Sequence, residues 1–103
     1  MAYRLLITEK AEADLDGILQ YLMMKLANPE AAATLLDAIE AVYQRLTERP
    51  AIYALCQHPL LKPMGYRKAV IRGYLMIYRL DTVAQTVYIE RFFSDLEDYA
   101  NKI

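Results

Sequence analysis

Apolar positions in the first half of the chain recur at steps of three and four. Ala11, Leu15, Ile18, Leu19, Leu22 and Leu26 form one such series, which predicts a helix over about 9–27. Just before it, "YRLLI" at 3–7 is short and apolar, as a strand is. Thr8 stands where an N-cap is needed, and Glu9 puts an acid in the first turn. Gly17 is a mild cost inside the helix. "NPE" at 28–30 is a restart signal: Asn28 as cap, Pro29 at the first helical position, Glu30 on the dipole. Ala32, Leu35, Leu36, Ile39, Val42, Tyr43 and Leu46 then mark a second helix to about 48, and Pro50 stops it. So short a link between two long helices predicts an antiparallel hairpin.

The second half changes period. "PAIYALCQHPLLKPMG" at 50–65 carries three prolines and a glycine and reads as an irregular, partly buried connection. Three strands come next, over 66–71, 74–80 and 85–91, linked by a turn at Arg72-Gly73 and by "DTVAQ". Short links make them an antiparallel meander. The middle strand, "YLMIY", is apolar on both parities, which predicts burial on both faces. Residues 95–102 read as a short last helix with Leu96, Tyr99, Ala100 and Ile103 on one side, and Ser94-Asp95-Leu96-Glu97 fits a capping box in front of it. The order β-α-α-β-β-β-α describes one α+β domain over 1–103, a helical hairpin packed on a small, mainly antiparallel sheet.

Composition narrows the setting. At 103 residues and 56% apolar, the chain can bury a core without disulfides. A single cysteine, Cys56, cannot form an internal disulfide, which fits a reducing, cytoplasmic compartment. "MAYRLLITEK" lacks the apolar run of a signal peptide, and no stretch approaches a membrane span. A soluble cytoplasmic protein without membrane association is expected. Net charge is −1, but it is unevenly spread. Residues 1–49 carry five basic and eight acidic side chains; residues 50–80 carry five basic and none acidic; residues 81–103 carry two and five. The cationic middle is either an anion-binding surface or a set of solvated strand ends balancing the helices. Cys56 and His58, the only residues of their kinds, are two apart between prolines with no third group to orient them. They make a poor nucleophilic pair, and one Cys with one His are too few for a metal.

The opening "YRLLITEKAEADLDGILQYL", the block "GYRKAVIRGYLMIYRLD" and the close "VYIERFFSDLEDY" together resemble the RelE/ParE toxin superfamily of bacterial type II toxin–antitoxin (plasmid stabilisation) systems, over nearly the whole chain. The resemblance implies a growth-inhibiting toxin neutralised by a cognate antitoxin, lying across the hairpin or the sheet edge, with no cofactor. Members of this superfamily poison DNA gyrase, or cut mRNA on the ribosome without a metal. The second chemistry needs a base, an acid, and cations on the phosphate.

Arginine suits the cationic role, since its fork matches phosphate oxygens. Arg67, Lys68, Arg72, Arg79 and Arg91 are the candidates for target or nucleic-acid contact, and Arg67 and Arg91 the candidates for catalysis. Pairing across the turns sets Arg67 opposite Tyr78 and Arg91 opposite Leu75. That predicts two cationic groups: Arg67 with Arg79 and Lys68, and Arg72 with Arg91. Departures from the resemblance weaken the nuclease reading. Ser94 stands where many members have His, Glu97 where many have Arg, and Leu75 where nucleases tend to be basic. Tyr78, Tyr88 and Tyr99 could replace an acid, though tyrosines are more often core or interface. The balance favours a toxin that binds a macromolecular target such as gyrase. The alternatives are an mRNA endonuclease and a member that has lost toxicity. Homodimerisation is left open.

Overall fold

A computed structural model describes residues 2–94. The elements run β1 (Arg4–Ile7), α1 (Glu9–Gln20), a π-helical turn (Tyr21–Lys25), α2 (Pro29–Glu48), β2 (Tyr66–Ile71), β3 (Tyr74–Asp81) and β4 (Thr86–Ser94). The sheet order is β1-β4-β3-β2, with β1 parallel to β4 and the other pairs antiparallel. The expected α+β architecture is therefore present. The helix expected over 95–102 lies outside the described residues, as does the capping box beyond Ser94, itself a β4 residue paired with Tyr74.

Both helix starts are built as their sequences require. The Thr8 hydroxyl accepts from Ala11 N–H at 3.1 Å, and Asn28 Oδ1 accepts from Ala31 N–H at 3.1 Å. Thr8 also ties the helix to the sheet: its hydroxyl donates to Glu90 O at 3.0 Å and its N–H to Ile89 O at 3.0 Å.

The first helix departs from the simple stripe at its end. The N–H of Leu26 reaches Tyr21 O, five residues back, at 3.1 Å. One extra residue in a turn rotates the side chains beyond it by about 100°. Leu26, expected on the buried face, is consequently 54% exposed, while Leu22 before it stays in the core. Met23 and Met24 are exposed beside it.

The β2–β3 turn places Arg72 and Gly73 at φ 49° and 85°. Both values are positive, as a two-residue hairpin turn matching the strand twist requires. Glycine carries that φ without strain and arginine at a small cost.

Two clusters sandwich the sheet. On one face, Ala69, Ile71, Met76, Tyr78, Val87, Ile89 and Phe92 pack against the helices. On the other, Tyr66, Leu75, Ile77 and Phe93 pack under Cys56 and Leu61 of the irregular connection. This explains the doubly apolar middle strand: Leu75, Met76, Ile77 and Tyr78 are all buried. The connection is pinned by Cys56 N–H to Tyr66 O at 2.9 Å and Lys68 N–H to Ala54 O at 3.1 Å.

Replacing Ile77, fully buried between the layers, should show whether this second cluster holds the fold. Ile77→Ala is expected to lower unfolding free energy by about 2–5 kcal/mol in urea titration. Val83→Ala, at 95% exposure in the β3–β4 turn, should stay within about 0.5 kcal/mol of the parent.

Candidate functional site

The expected arginine groups do not form. Arg67 pairs with Tyr78 and the adjacent Arg79 with Tyr66, both in the expected register, but that register puts them on opposite faces. Successive residues alternate faces, so Arg67 lies on the helix side of the sheet and Arg79 on the side of the irregular connection. Arg91 pairs with Ile77, not Leu75. Two single-residue offsets account for this. The β3–β4 hairpin closes one residue away from the expected register, and a bulge between the Tyr78↔Ile89 and Ile77↔Arg91 rungs adds Glu90. The two offsets add, so Arg91 keeps its expected face but moves along the strand, and β4 runs on to Ser94. Arg72 is left in the β2–β3 turn, away from it.

Each of three arginines has an internal partner. Arg67 Nη1 donates to Tyr53 O at 2.7 Å and reaches Ala51 O at 3.5 Å, holding the start of the irregular connection against β2. Arg79 sits 3.5 Å from Glu90 and stacks 4.6 Å above the Tyr88 ring. Arg91 grips Asp14 of α1 with two bonds, Nε at 2.6 Å and Nη2 at 3.1 Å, and its guanidinium lies 4.7 Å over the Phe93 ring. Asp14 also accepts from the Phe92 N–H at 3.1 Å. The reason is topological. β1 stops at Ile7, opposite Ile89, which leaves the rest of β4 as a sheet edge. Helix α1 runs along that edge, and Asp14 supplies the acceptor that a neighbouring strand would have supplied. No residue pattern near Asp14 announced this; only its place on the α1 turn facing β4 makes it visible.

Asp14 and Arg91 also line a cleft of about 440 Å³, walled by Ile18, Tyr21, Tyr74 and Phe93 and reaching Ser94. A smaller hollow beside it, about 310 Å³, holds Arg72 with Thr34 and Tyr74. Neither gathers a base, an acid and a free cation. Cys56 is fully buried, and burial pushes its thiol pKa up, against a smaller opposing pull from Lys68. His58 Nδ1 accepts from the Leu60 N–H of its own loop at 3.1 Å, so the two do not act as a pair. Among the described residues no three His, Cys, Asp or Glu side chains are placed to hold a metal.

The tyrosines divide. Tyr88 carries Arg79 on its face, Tyr99 lies outside the described residues, and Tyr78 is wholly buried. The Tyr78 hydroxyl donates to Pro50 O at 2.9 Å. Burial pushes its pKa up to about 12, while a backbone hydrogen bond from Tyr53 and the Arg67 charge pull the other way. Tyr43, between the helices, is pushed up to about 12 by burial, then by Glu12 and Glu40, and its hydroxyl has no partner among the described residues. Neither is a ready acid near neutrality.

The model for the ParE toxin of type II toxin–antitoxin systems, parDE, matches residues 5–99. The chain belongs to the ParE toxin family. Solved structures share its fold. A chain of the chromosomal ParDE system from P. aeruginosa superposes with a TM-score of 0.69 at 22% identity, covering 90% of this chain and 96% of that one. A chain of the RelBE2 toxin–antitoxin complex of Mycobacterium tuberculosis gives 0.65 at 22%, covering 91% and 99%. A free-state RelE mutant from E. coli gives 0.69 at 16%, covering 99% and 93%. Comparison with curated protein sequences returns no match. No helix among the described residues of this ParE-family chain is long and apolar enough to cross a membrane.

Two measurements test the site as built. In a double-mutant cycle on Asp14→Ala and Arg91→Ala, urea titrations should return a coupling of about 1–3 kcal/mol, because the pair is mostly shielded and shares a network with the Phe92 amide. Near-zero coupling would remove the clamp. For the tyrosines, a folded pKa above the unfolded value of about 10 gives stability that is whole below pH 10 and lost as pH rises through about 12. Alkaline unfolding in that window should shift upward in the Tyr43→Phe, Tyr78→Phe double variant, compared with its own neutral-pH stability.

Proposed function

We propose that this ParE-family toxin acts by binding a macromolecular target such as DNA gyrase, and that a separately encoded antitoxin neutralises it. One observation carries the first half. The arginines best suited to phosphate chemistry serve the protein's own architecture: Arg91 clamps α1 to β4, Arg67 fastens the irregular connection, and Arg79 is stacked and ion-paired on the sheet. Removing any of them should disturb the scaffold before it disturbs a reaction. A binding toxin needs instead an exposed, shaped surface. The end of the helical hairpin offers Tyr21, Met23, Met24 and Leu26, presented by the π-helical turn. The antitoxin partner is supported by the family match and by the fold shared with the M. tuberculosis complex.

Induced expression in a bacterial host separates the readings. Inhibition of supercoiling by purified gyrase, with no codon-linked 5′ ends in mRNA, is the expected result. Ribosome-dependent cuts that disappear in folded Arg67→Ala and Arg91→Ala variants, each by well over tenfold, would replace this reading with a metal-free endonuclease of RelE type. Unimpeded growth without antitoxin would mean a member that has lost toxicity and would sink both.

A further inference from the structure

Tyr74 is a wall of two hollows, the main cleft and the smaller one of about 310 Å³ beside it. The smaller one is assembled from three places in the chain: Leu22 of the π-helical turn, Ala31, Thr34 and Leu35 near the start of α2, and Arg72 and Tyr74 at the β2–β3 turn. Its lining has two halves. Leu22 and Leu35 are buried and apolar. Arg72, Thr34 and Tyr74 bring a guanidinium and two hydroxyls, and none of these groups has a hydrogen-bond or ion-pair partner among the described residues. The main cleft contains Asp14, whereas this hollow has no acidic wall; Glu30, the first-turn acid of α2, is not part of it. Two further features favour an anion. Arg72 stands at φ 49°, where glycine or asparagine would sit at lower cost, and no internal bond offsets that cost. Ala31 is the third residue of α2, so the positive pole of a 20-residue helix adjoins the same hollow.

We infer that this hollow binds a small organic anion, a phosphate monoester carrying a compact apolar or aromatic group. The Arg72 guanidinium and the Thr34 and Tyr74 hydroxyls take the phosphate. Three donor groups match its three outer oxygens better than the two of a carboxylate, and the arginine fork supplies paired donors. Leu22, Ala31 and Leu35 take the apolar group, whose burial against them is favourable in proportion to its area. A bare inorganic anion leaves that lining wet, and a neutral apolar molecule leaves the guanidinium without a counter-charge, so both parts of the ligand are needed. With one cation and few walls, the site holds such a ligand at a dissociation constant of about 0.1–1 mM. The site stands whether the toxin's target is gyrase or the ribosome.

The test titrates the whole isotope-labelled protein with phenyl phosphate, inorganic phosphate, benzoate and benzyl alcohol. Expected are saturable amide shifts from phenyl phosphate, confined to Leu22, Ala31–Leu35 and Arg72–Tyr74, with the other three probes at least tenfold weaker. Arg72→Asn removes the cation and suits the positive φ, so the turn is kept. Ala31→Leu fills the hollow from a helical position that favours leucine. Each should leave the circular dichroism unchanged and weaken phenyl phosphate tenfold or more. Should either variant fail to fold, Thr34→Val, at an exposed helix position, supplies the same reading through a threefold or greater loss. Shifts elsewhere, no saturation by about 10 mM phenyl phosphate, or undiminished binding in the folded variants would each overturn the site. Benzoate binding as well as phenyl phosphate would overturn the phosphate monoester as ligand class, and equal binding of inorganic phosphate would overturn the apolar half.

Discussion

The contact between Asp14 and the Arg91–Phe92 step of β4 is what lets this small sheet end where it does. A strand edge with unpaired amides is costly when buried and adhesive when exposed. β1 covers β4 only as far as Ile89. From there α1 takes over, with Thr8 bonded to the backbone of Ile89 and Glu90, and Asp14 bonded to Arg91 and the Phe92 amide. One carboxylate therefore satisfies an edge donor, pairs a shielded cation and ties α1 to the sheet. The Glu90 bulge belongs to the same arrangement, since it shifts the register by one residue just before Arg91.

This arrangement gives arginine a different meaning from the one its chemistry invites. A guanidinium at a strand end in a toxin fold is a natural phosphate ligand, yet here Arg91 and Arg67 hold layers together by strong, directional bonds to a carboxylate and to carbonyls. The chain keeps the family's architecture while committing Arg67, Arg79 and Arg91 to structure. The exposed apolar surface is of another kind: the hairpin tip, where the π-helical turn leaves Tyr21, Met23, Met24 and Leu26 uncovered.

Much of the molecule obeys local rules. Helix periodicity, Asn28-Pro29, Thr8, and the Arg72-Gly73 turn are decided within a few residues, because capping bonds and positive-φ turns close locally. The double burial of "YLMIY" is likewise legible, since apolar residues on both parities need cover on both faces. What covers them is not legible: the helices on one side and Cys56 and Leu61 on the other are brought there by long-range packing. Leu26 shows the limit of periodicity, because one additional residue in a turn moves it from core to surface without any change in composition.

The candidate site depended on tertiary structure almost entirely. Sequence alone established the element order as far as β4, the three strands of the meander, the cationic middle and the identity of the arginines, because these rest on residue type and short spacing. It could not determine which partner each arginine had, nor where along the sheet Arg91 would lie. Those depend on strand register, and a hairpin offset and a bulge each displace β4 by one residue at little local cost. Nor could it pair Asp14 with Arg91, separated by most of the chain, since that contact exists only because a parallel β1 stops short of its neighbour and a helix fills the edge.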